Sequence, residues 1–509
     1  MKYLLSIVLC ICCICGNAQV LDSAFGTNGR VVVPFDASLF KGNSEIYSIA
    51  LQTDGKIIAV GNTYDTTAMS IAIMRFTTAG IVDSSFGANG RILQTFDTCD
   101  INGVVKVLVQ QDDKIVIAGT SNIKKDVTQR SCFSVARYKK DGSLDSTFNG
   151  SGLVKVNVPL VNTKGNCRSA ALQADGKMLL AGRCATGMVV MRLLDNGGID
   201  STFNNDGIFF IPISDPEEGF SQVAVSGNKI IAFGDRVSQT ASNVLWQLKQ
   251  DGTPDSSFGT NGMVAAQWSP SSLYGNELCI LPDKRIVISG FESWFMSTTI
   301  TAHNADGTPD ANFGVNGLPG MRVGDWTIGT PAFFTADEHG RIYSTCAGYD
   351  NSLHYAVFLF RHNINGTIDS TFSPYGVYIE AGKFGEYART IIVQKDGKVL
   401  LAGGKYISYT NEVNFYLMRF NTYPLGIADK HTATTRMSVY PNPAHEQLNV
   451  TGDLKAIKSY TIINTVGQTI QYSELTQNTI DIFMLPTGVY TIYFKGKSGE
   501  VYPVRFSKN

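Results

Sequence analysis

The sequence predicts an all-β protein: a seven-bladed β-propeller closed by its N-terminal strand, followed by a small Ig-like β-sandwich. Three observations support this prediction. A two-part motif recurs seven times at intervals of 55 to 62 residues. Short apolar segments alternate with glycine-rich turns, and glycine contributes 50 of the 509 residues. Residues 436–509 abandon the repeat for short alternating strands.

Residues 1–18 are predicted to be a secretory signal peptide. Lys2 precedes an apolar run that ends at Cys15, and Ala18 closes a small-residue cleavage site. The run is too short for a comfortable membrane span, which disfavours a retained anchor.

The formal net charge of −1 provides no field for nucleic acid or anionic membrane, so no nucleic-acid partner is expected.

The first part of the repeat has the pattern Asp-x-x-Phe-x-x-x-Gly. We expect a structural role, in which the aspartate caps its own turn, the phenylalanine is a buried plug and the glycine adopts a positive φ. An arginine stands eight residues before the aspartate in four copies, which predicts an Arg–Asp pair. Calcium binding is the alternative, disfavoured because Ser151 and Tyr375 interrupt the oxygen-bearing position before the glycine. The copies are Asp22/Phe25/Gly29, Asp83/Phe86/Gly90, Asp145/Phe148/Gly152, Asp200/Phe203/Gly207, Asp255/Phe258/Gly262, Asp310/Phe313/Gly317 and Asp369/Phe372/Gly376.

The second part of the repeat is a turn such as Asp54-Gly55-Lys56, followed by an apolar strand that often ends in glycine. In the first complete unit this predicts strand A over 48–53, strand B over 56–62, strand C over 70–77 and strand D over 91–96. Four antiparallel strands per unit are typical of a propeller blade.

The ends of the repeat region are complementary. The chain begins with a lone first motif and a D-like strand over 30–35, and the last unit has strands A, B and C without a D motif. The N-terminal strand is therefore predicted to complete the last blade. An open β-solenoid, the alternative, leaves these complementary ends unexplained. The units resemble the delta-60 repeats of secreted bacterial proteins, which implies a repeat scaffold over residues 19–421 without assigned chemistry.

One face of such a propeller carries the A–B and C–D connections, and the other carries the B–C and D–A connections. Here the first, the uniform face, repeats almost unchanged, whereas the second, the variable face, differs from blade to blade. We expect this face to bind an extracellular peptide or glycan. Alternatively, the aromatic residues of this face only pack at the rim of the propeller. The alternative function is a hydrolase or lyase that acts on extracellular polysaccharide, with Glu217 and Glu218 as acid and base. No cofactor is expected, calcium aside, and the protein is predicted to be a monomer. The candidate residues are Trp268, Tyr274, Trp294, Trp326, Phe384, Tyr387, Glu217 and Glu218.

Cys167 and Cys184 are predicted to form a disulfide. If Asp175 and Gly176 form a two-residue hairpin turn, the residue numbers of any two paired positions add up to 351. The numbers of Cys167 and Cys184 also add up to 351, so these residues would be paired. They would then face each other at a closely spaced pair in an exported protein.

Residues 422–435 are predicted to be a linker and residues 436–509 a β-sandwich. Three ordered motifs in this last segment resemble the type A C-terminal sorting domain of type IX secretion substrates. The resemblance implies export across the outer membrane of a Bacteroidetes-type cell, with the secretion machinery and its sorting protease as partners, and then release or surface attachment. A carbohydrate-binding sandwich is the alternative. The motifs are Tyr440-Pro441-Asn442-Pro443, Asn464-Thr465-Val466-Gly467-Gln468 and Leu485-Pro486-Thr487-Gly488-Val489-Tyr490.

Overall fold

The structure is a computed structural model of the chain. It describes residues 20–35, 44–64, 69–94, 101–122, 131–156, 165–213, 218–238, 241–266, 273–292, 297–314, 327–328, 333–349, 355–373, 376–381, 385–407, 412–422, 437–464, 469–497 and 501–509. The predicted signal peptide and most of the predicted linker lie outside these residues. The chain divides into two compact units, Met1–Pro424 and Leu425–Asn509. Within the described part, no helix is long and apolar enough to cross a membrane.

The first unit consists of sets of antiparallel strands in chain order, and a single parallel pair, Met69 with Ile101, joins the first two sets into one sheet. The strands of the first four are β2 (Ser44–Leu51), β3 (Ile57–Tyr64), β4 (Met69–Phe76) and β5 (Arg91–Gln94); β6 (Ile101–Val109), β7 (Ile115–Asn122), β8 (Ser131–Tyr138) and β9 (Leu153–Val156); β10 (Asn166–Leu172), β11 (Met178–Cys184), β12 (Gly187–Leu193) and β13 (Ile208–Pro212); β14 (Gly219–Ser226), β15 (Lys229–Ser238), β16 (Ala241–Leu248) and β17 (Met263–Ala266). Each set of four corresponds to strands A to D of one blade.

The remaining sheets of this unit follow the same order. Their strands are β18 (Leu273–Ile280), β19 (Ile286–Glu292) and β20 (Ser297–His303); β21 (Thr327–Ile328), β22 (Phe333–Ala336), β23 (Ile342–Tyr349), β24 (Tyr355–His362) and β25 (Val377–Ala381); β26 (Glu386–Val393), β27 (Val399–Tyr406) and β28 (Val413–Phe420). The first strand of the chain, β1 (Arg30–Val33), joins the last of these sheets.

The N-terminal strand closes the propeller, as predicted. Strand β1 pairs antiparallel with β28, with Val32 opposite Tyr416. Just before it, the Asn421 N–H donates to the Val20 carbonyl at 2.7 Å, as the Thr77 N–H does to Ile81 within a continuous blade. Strand β1 therefore takes the place of the missing strand D.

The A strands form a closed inner ring. Contacts link β2 to β6, β6 to β10, β10 to β14, β14 to β18, β18 to β22, β22 to β26 and β26 back to β2. Apolar clusters fill the spaces between neighbouring sheets, including one that joins the first and last sheets through Ile46, Ala72, Leu400 and Phe415. The all-β propeller is therefore confirmed. The number of blades stays a prediction, which the grouping of the described strands into seven sets supports.

A β-bulge recurs in the A strands and explains the glycine that ends many B strands. One extra residue interrupts the pairing of β2, β6, β10, β14, β18 and β26 with their B strands. Opposite the bulge, a Cβ on Gly61, Gly119, Gly182 or Gly403 would lie less than 3 Å from a strand A carbonyl oxygen. The glycine is thus required by close backbone approach.

Replacing Gly182 with alanine is expected to destabilise the protein by about 1–3 kcal/mol, because the new Cβ would meet the Asn166 carbonyl and force backbone movement. Gly103→Ala is the matched control, since its Cβ would meet only the Met69 Cε at an ordinary 3.7 Å. Thermal unfolding of both variants measures the difference. Equal melting temperatures would contradict the packing explanation.

The predicted Cys167–Cys184 disulfide is wrong. The turn has three residues, because the Gln173 N–H donates to the Lys177 carbonyl at 2.9 Å and Gly176 has a φ of 86°. The numbers of paired residues therefore add up to 350 near the turn instead of the predicted 351. The extra residue at the bulge, Arg168, changes this sum again. Cys167 lies opposite Gly182, Cys184 lies opposite Gly187, and both thiols are buried and free.

The second unit is a two-sheet β-sandwich. One sheet contains β29 (Ser438–Tyr440), β30 (Gln447–Thr451) and β33 (Thr479–Asp481), and the other contains β32 (Thr469–Glu474), β31 (Ile457–Asn464), β34 (Gly488–Gly496) and β35 (Val501–Lys508). A single-turn 3-10 helix spans Leu454–Ala456. The second unit has a separate core, formed by fully buried side chains such as those of Leu448, Ile462 and Phe494.

Candidate functional site

The repeated aspartates cap their own turns on the uniform face. In all seven copies one carboxylate oxygen accepts the backbone N–H two residues on, as in Asp145 with Thr147 at 3.1 Å. This satisfies a backbone donor that the turn would otherwise leave without a partner. The seven aspartates are Asp22, Asp83, Asp145, Asp200, Asp255, Asp310 and Asp369.

The motif phenylalanines are buried between blades. Each side chain is at most 6% exposed. In the first six copies the ring packs against a turn glycine of the next blade, where a Cβ on Gly80, for example, would lie 2.8 Å from the ring of Phe25. Rings enclosed in this way offer no surface to a ligand, which supports a structural role. The seven phenylalanines are Phe25, Phe86, Phe148, Phe203, Phe258, Phe313 and Phe372.

The closing glycines of the motif adopt the left-handed backbone conformation. Their φ values lie between 71° and 92° in the six described copies, a range that disfavours any residue with a Cβ. Space is also short, since a Cβ on Gly29 would lie 2.9 Å from the Cβ of Leu21. Gly317 lies outside the described residues. The six described glycines are Gly29, Gly90, Gly152, Gly207, Gly262 and Gly376.

The second carboxylate oxygen receives an arginine. Arg75, Arg137, Arg192, Arg361 and Arg419 each place Nε 2.8 Å from the oxygen of their motif aspartate. Each guanidinium also lies 4.5 to 4.9 Å from the centre of the motif phenylalanine ring. A terminal nitrogen then donates to a carbonyl in another connection, as Arg75 does to Lys140 at 2.6 Å. The cluster therefore fastens neighbouring blades together.

Other side chains replace the arginine where it is missing. Gln247 donates to Asp255 at 2.9 Å, and Lys229 also pairs with that carboxylate. In the blade of Asp310, the turn between strands A and B carries Arg285 where other blades carry lysine, and Arg285 lies 2.8 Å from Asp310. The lysine of the turn motif contributes in other blades, as Lys56 does at 2.9 Å from Asp83. Repetition of this lysine was the sequence signal for its role.

The motif carboxylates are already engaged by cations. Among the described residues, no group of three or more His, Cys, Asp or Glu side chains is arranged to hold a metal ion. Burial alone would raise the pKa of Asp200, but hydrogen bonds from Thr202 and Lys177 and the charge of Arg192 outweigh it and lower the pKa to about 2.

We expect the propeller to lose stability in acid below about pH 4. Because folding lowers the pKa of Asp200 from 3.8 to about 2, its contribution is complete above the unfolded value and disappears as the pH falls through the folded value. Asp200→Asn should remove about 2 kcal/mol of this pH dependence between pH 4 and 2. Urea unfolding at several pH values measures it; an unchanged slope in the variant would contradict the assignment.

A polar and aromatic cluster joins the first and last blades at the variable face. Glu45 and Tyr387 are the second residues of β2 and β26, and both strands begin where D–A connections end. We call Glu45, Tyr47, Tyr387 and Arg389 the Glu45 cluster. The Tyr47 and Tyr387 hydroxyls each donate to Glu45 at 2.7 Å, and Arg389 Nε donates at 2.8 Å. The cluster therefore holds aromatic rings and charges at the variable-face end of the inner ring of A strands.

The guanidinium of Arg389 lies between two rings. Its Cζ is 4.8 Å from the centre of Tyr47 and 5.4 Å from that of Tyr387. Burial, with the charge of and hydrogen bond to Glu45, raises the pKa of Tyr387 well above its usual range. The Arg389 side chain nevertheless remains 39% exposed, so its charge is accessible to a ligand.

Glu386, the residue before Tyr387, is a buried carboxylate whose side chain leaves the opposite face of β26. Lys405 Nζ pairs with its Oε1 at 2.6 Å, and the side chain is 2% exposed. Its Oε2 has no hydrogen-bond partner among the described residues. A buried carboxylate oxygen without a partner is unusual in a folded protein.

The predicted aromatic site is only partly within the described residues. Tyr387 belongs to the Glu45 cluster, with its ring 5.8 Å from that of Tyr406. Glu218 is buried immediately before β14, and the backbone of Tyr274 lies in β18. Trp268, Trp294, Trp326, Phe384 and Glu217 lie outside the described residues. The sequence prediction missed Glu45, Tyr47 and Arg389. Tyr47 and Arg389 occupy the bulge of their A strands, a position whose residue type differs between units. An alignment of the units on the glycine that ends strand B would have placed both residues there.

In the second unit, the proline-rich motif binds the last strand. The Asn442 side chain accepts the Ser507 N–H at 2.9 Å and donates to the Arg505 carbonyl at 3.2 Å. The Tyr490 hydroxyl donates to the Pro486 carbonyl at 2.7 Å. Gly467 and Gln468 of the middle motif lie outside the described residues.

Two family models match the chain. The model of the secretion system C-terminal sorting domain matches residues 438–503. The chain carries a type IX sorting domain. A second model, a β-propeller domain of unknown function, matches residues 52–86, 110–148 and 228–258. The sorting domain directs the propeller to the cell surface or the extracellular space, as the sequence predicted, and implies handling by the type IX secretion system. None of the curated proteins compared with the sequence matches it.

Solved structures similar to this chain are distant. The extracellular domain of a proposed one component system from B. thetaiotaomicron is 10% identical, with a TM-score of 0.40; the match covers 94% of this chain and 58% of that one, less than two thirds of its length. Hydrazine synthase from Kuenenia stuttgartiensis is 12% identical, with a TM-score of 0.40 and coverage of 74% and 96%. The PQQ-bound aldose sugar dehydrogenase from Streptomyces coelicolor is 11% identical, with a TM-score of 0.37 and coverage of 77% and 98%. Similarities of this size carry no argument about function.

Proposed function

We propose that the exported propeller is a binding scaffold that takes an extracellular peptide or glycan at the mouth of its variable face. The observation that carries this proposal is the Glu45 cluster, whose Arg389 side chain remains 39% exposed. Residues 1–18 would act as the signal peptide and residues 19–421 as the propeller. The sorting protease would act on the C-terminal domain.

The chemistry of the Glu45 cluster suits a polar ligand with hydrogen-bond acceptors. Glu45 holds both tyrosines and Arg389 in fixed positions, so little conformational entropy is lost when a ligand docks. The exposed Arg389 guanidinium can donate to a sugar hydroxyl or a peptide carbonyl. Edges of the tyrosine rings add apolar contact area. The other candidates, Trp268, Tyr274, Trp294, Trp326 and Phe384, would extend the same face in further sectors.

A polysaccharide hydrolase or lyase is the second candidate, and a carboxylate in the inner ring is the observation that favours it. Glu277 follows the bulge of β18, and burial raises its pKa, although the charge of Lys106 opposes the shift. A raised pKa suits a general acid. Hydrolysis also needs a second carboxylate. Of the pair named from the sequence, Glu218 is buried before β14 and Glu217 lies outside the described residues.

Glycan and peptide arrays probed with the secreted protein, followed by turnover assays on the bound compounds, separate the two candidates. The scaffold proposal predicts binding that is unaffected by Glu277→Gln, without product formation. Product formation that Glu277→Gln abolishes would replace the scaffold with the enzyme. Absence of binding on both arrays would contradict the scaffold.

A further inference from the structure

Exposed apolar side chains are concentrated on the sorting domain. Twelve large hydrophobic residues are exposed among the described residues, and five of them lie in this domain: Tyr440, Ile470, Tyr472, Phe483 and Met484. The domain supplies 66 of the 389 described residues, roughly a sixth. Exposed apolar groups at this density are typical of an interaction surface.

Two of these residues are adjacent in one turn, and two others lie on the strand next to that turn. Phe483 and Met484 are 62% and 87% exposed in the turn after β33, and Ile470 and Tyr472 are 39% and 65% exposed on β32. Between the last two, the Gln471 side chain donates to the Asp481 carbonyl at 3.2 Å, and the Asp481 carboxylate accepts the Phe483 N–H at 2.8 Å. These bonds bring the turn beside the strand, although Gln471 and Tyr472 leave opposite faces of it. We call the adjacent Phe483 and Met484 the Phe483 patch.

The sorting motif itself holds this turn in place. Leu485 is buried, and its N–H donates to the Ile482 carbonyl at 3.0 Å. Tyr490 fixes Pro486 through its hydroxyl, and its ring stacks on Phe506 with centres 5.6 Å apart. Leu485 and Tyr490 of the motif are therefore anchored in the core, while the dipeptide directly before the motif is presented to solvent.

We propose that the Phe483 patch is the surface by which a protein of the type IX secretion machinery recognises this domain. The occupant would be a protein with an apolar groove. Strand β32 is an edge strand of its sheet, so the same partner can also pair with its backbone. The family match supplies the class of partner, because this domain exists to be handled by that machinery. The patch supplies the contact, independently of what the propeller binds.

The test is export of the full-length chain from a bacterium with type IX secretion. We expect Phe483→Ser combined with Met484→Ser to lower the secreted fraction at least about five-fold, with accumulation in the periplasm. Ile81→Ser, which removes a 65% exposed apolar side chain from the propeller, is the matched control and should be exported normally. Deletion of residues 436–509 sets the fully blocked level.

Two further measurements keep the outcome decisive. Protease resistance of the periplasmic chain reports whether the domain is folded. Because both replaced side chains are exposed, this resistance should not change in the variant. If the double variant proves unfolded, Met484→Ser alone, at the 87% exposed position, decides the question. Secretion of a folded patch variant at the normal level would overturn the proposal, whereas blocked secretion with intact folding would support it.

Discussion

Deletion of residues 20–35 is expected to abolish cooperative folding of the propeller. The segment buries Leu21, Phe25, Val31 and Phe35, each with at most 6% exposure. At about 1.5–3 kcal/mol for each buried side chain, the loss is about 6–12 kcal/mol. That is comparable with the whole free energy of unfolding of a typical protein, about 5–15 kcal/mol. Calorimetry of the truncated chain should show no sharp transition.

A permuted chain is the control for this deletion. Residues 20–35 are moved behind Thr422 through an Ala-Gly bridge, which copies Ala79-Gly80 in the first complete blade. The hydrogen bond from Asn421 to Val20 matches the one from Thr77 to Ile81, so the bridge should fit without strain. Cooperative unfolding should return. A truncated chain that unfolds as sharply as the complete one would show that the N-terminal strand does not close the ring.

Replacing Asp145 with alanine is expected to cost about 3–5 kcal/mol, because it leaves a buried guanidinium without its carboxylate. The side chains of Arg137 and Asp145 are each 2% exposed and 2.8 Å apart. Asp195, which also contacts Arg137, is 56% exposed. It therefore provides little compensation. Chemical unfolding of the purified protein measures the loss.

Asp255→Ala is the matched comparison. Asp255 caps its turn as Asp145 does, but its partners are the neutral Gln247 and Lys229, whose side chain is 34% exposed. No guanidinium is stranded, and the lysine can turn to water. We expect a loss of about 1–2 kcal/mol, typical of a lost cap. Equal losses in the two variants would show that the ion pair adds nothing to the cap.

The sequence predicted the propeller and its closure because both depend on repetition. Seven copies of one motif average out local ambiguity, and complementary chain ends leave few ways to complete the last blade. Strand boundaries were less accurate. Strand A of the first complete unit was predicted to begin at residue 48 and begins at Ser44. The bulge at Tyr47 interrupts the alternation on which the prediction depended.

The candidate site was less predictable for a related reason. The Glu45 cluster combines side chains from the first and last blades, separated by more than 340 residues, and nothing local in the sequence marks them as neighbours. The disulfide prediction failed because one three-residue turn and one bulge each changed the pairing. Both features depend on backbone geometry that the residue types permit without requiring.

The most direct test of the account is the dissociation constant of the best array ligand for three chains. Arg389→Ala should weaken binding at least about ten-fold, because it removes the exposed cation of the Glu45 cluster. Lys139→Ala, at an exposed position of the uniform face, should bind within about two-fold of the unmodified protein. Normal binding by Arg389→Ala, or a loss confined to Lys139→Ala, would contradict recognition at the variable face.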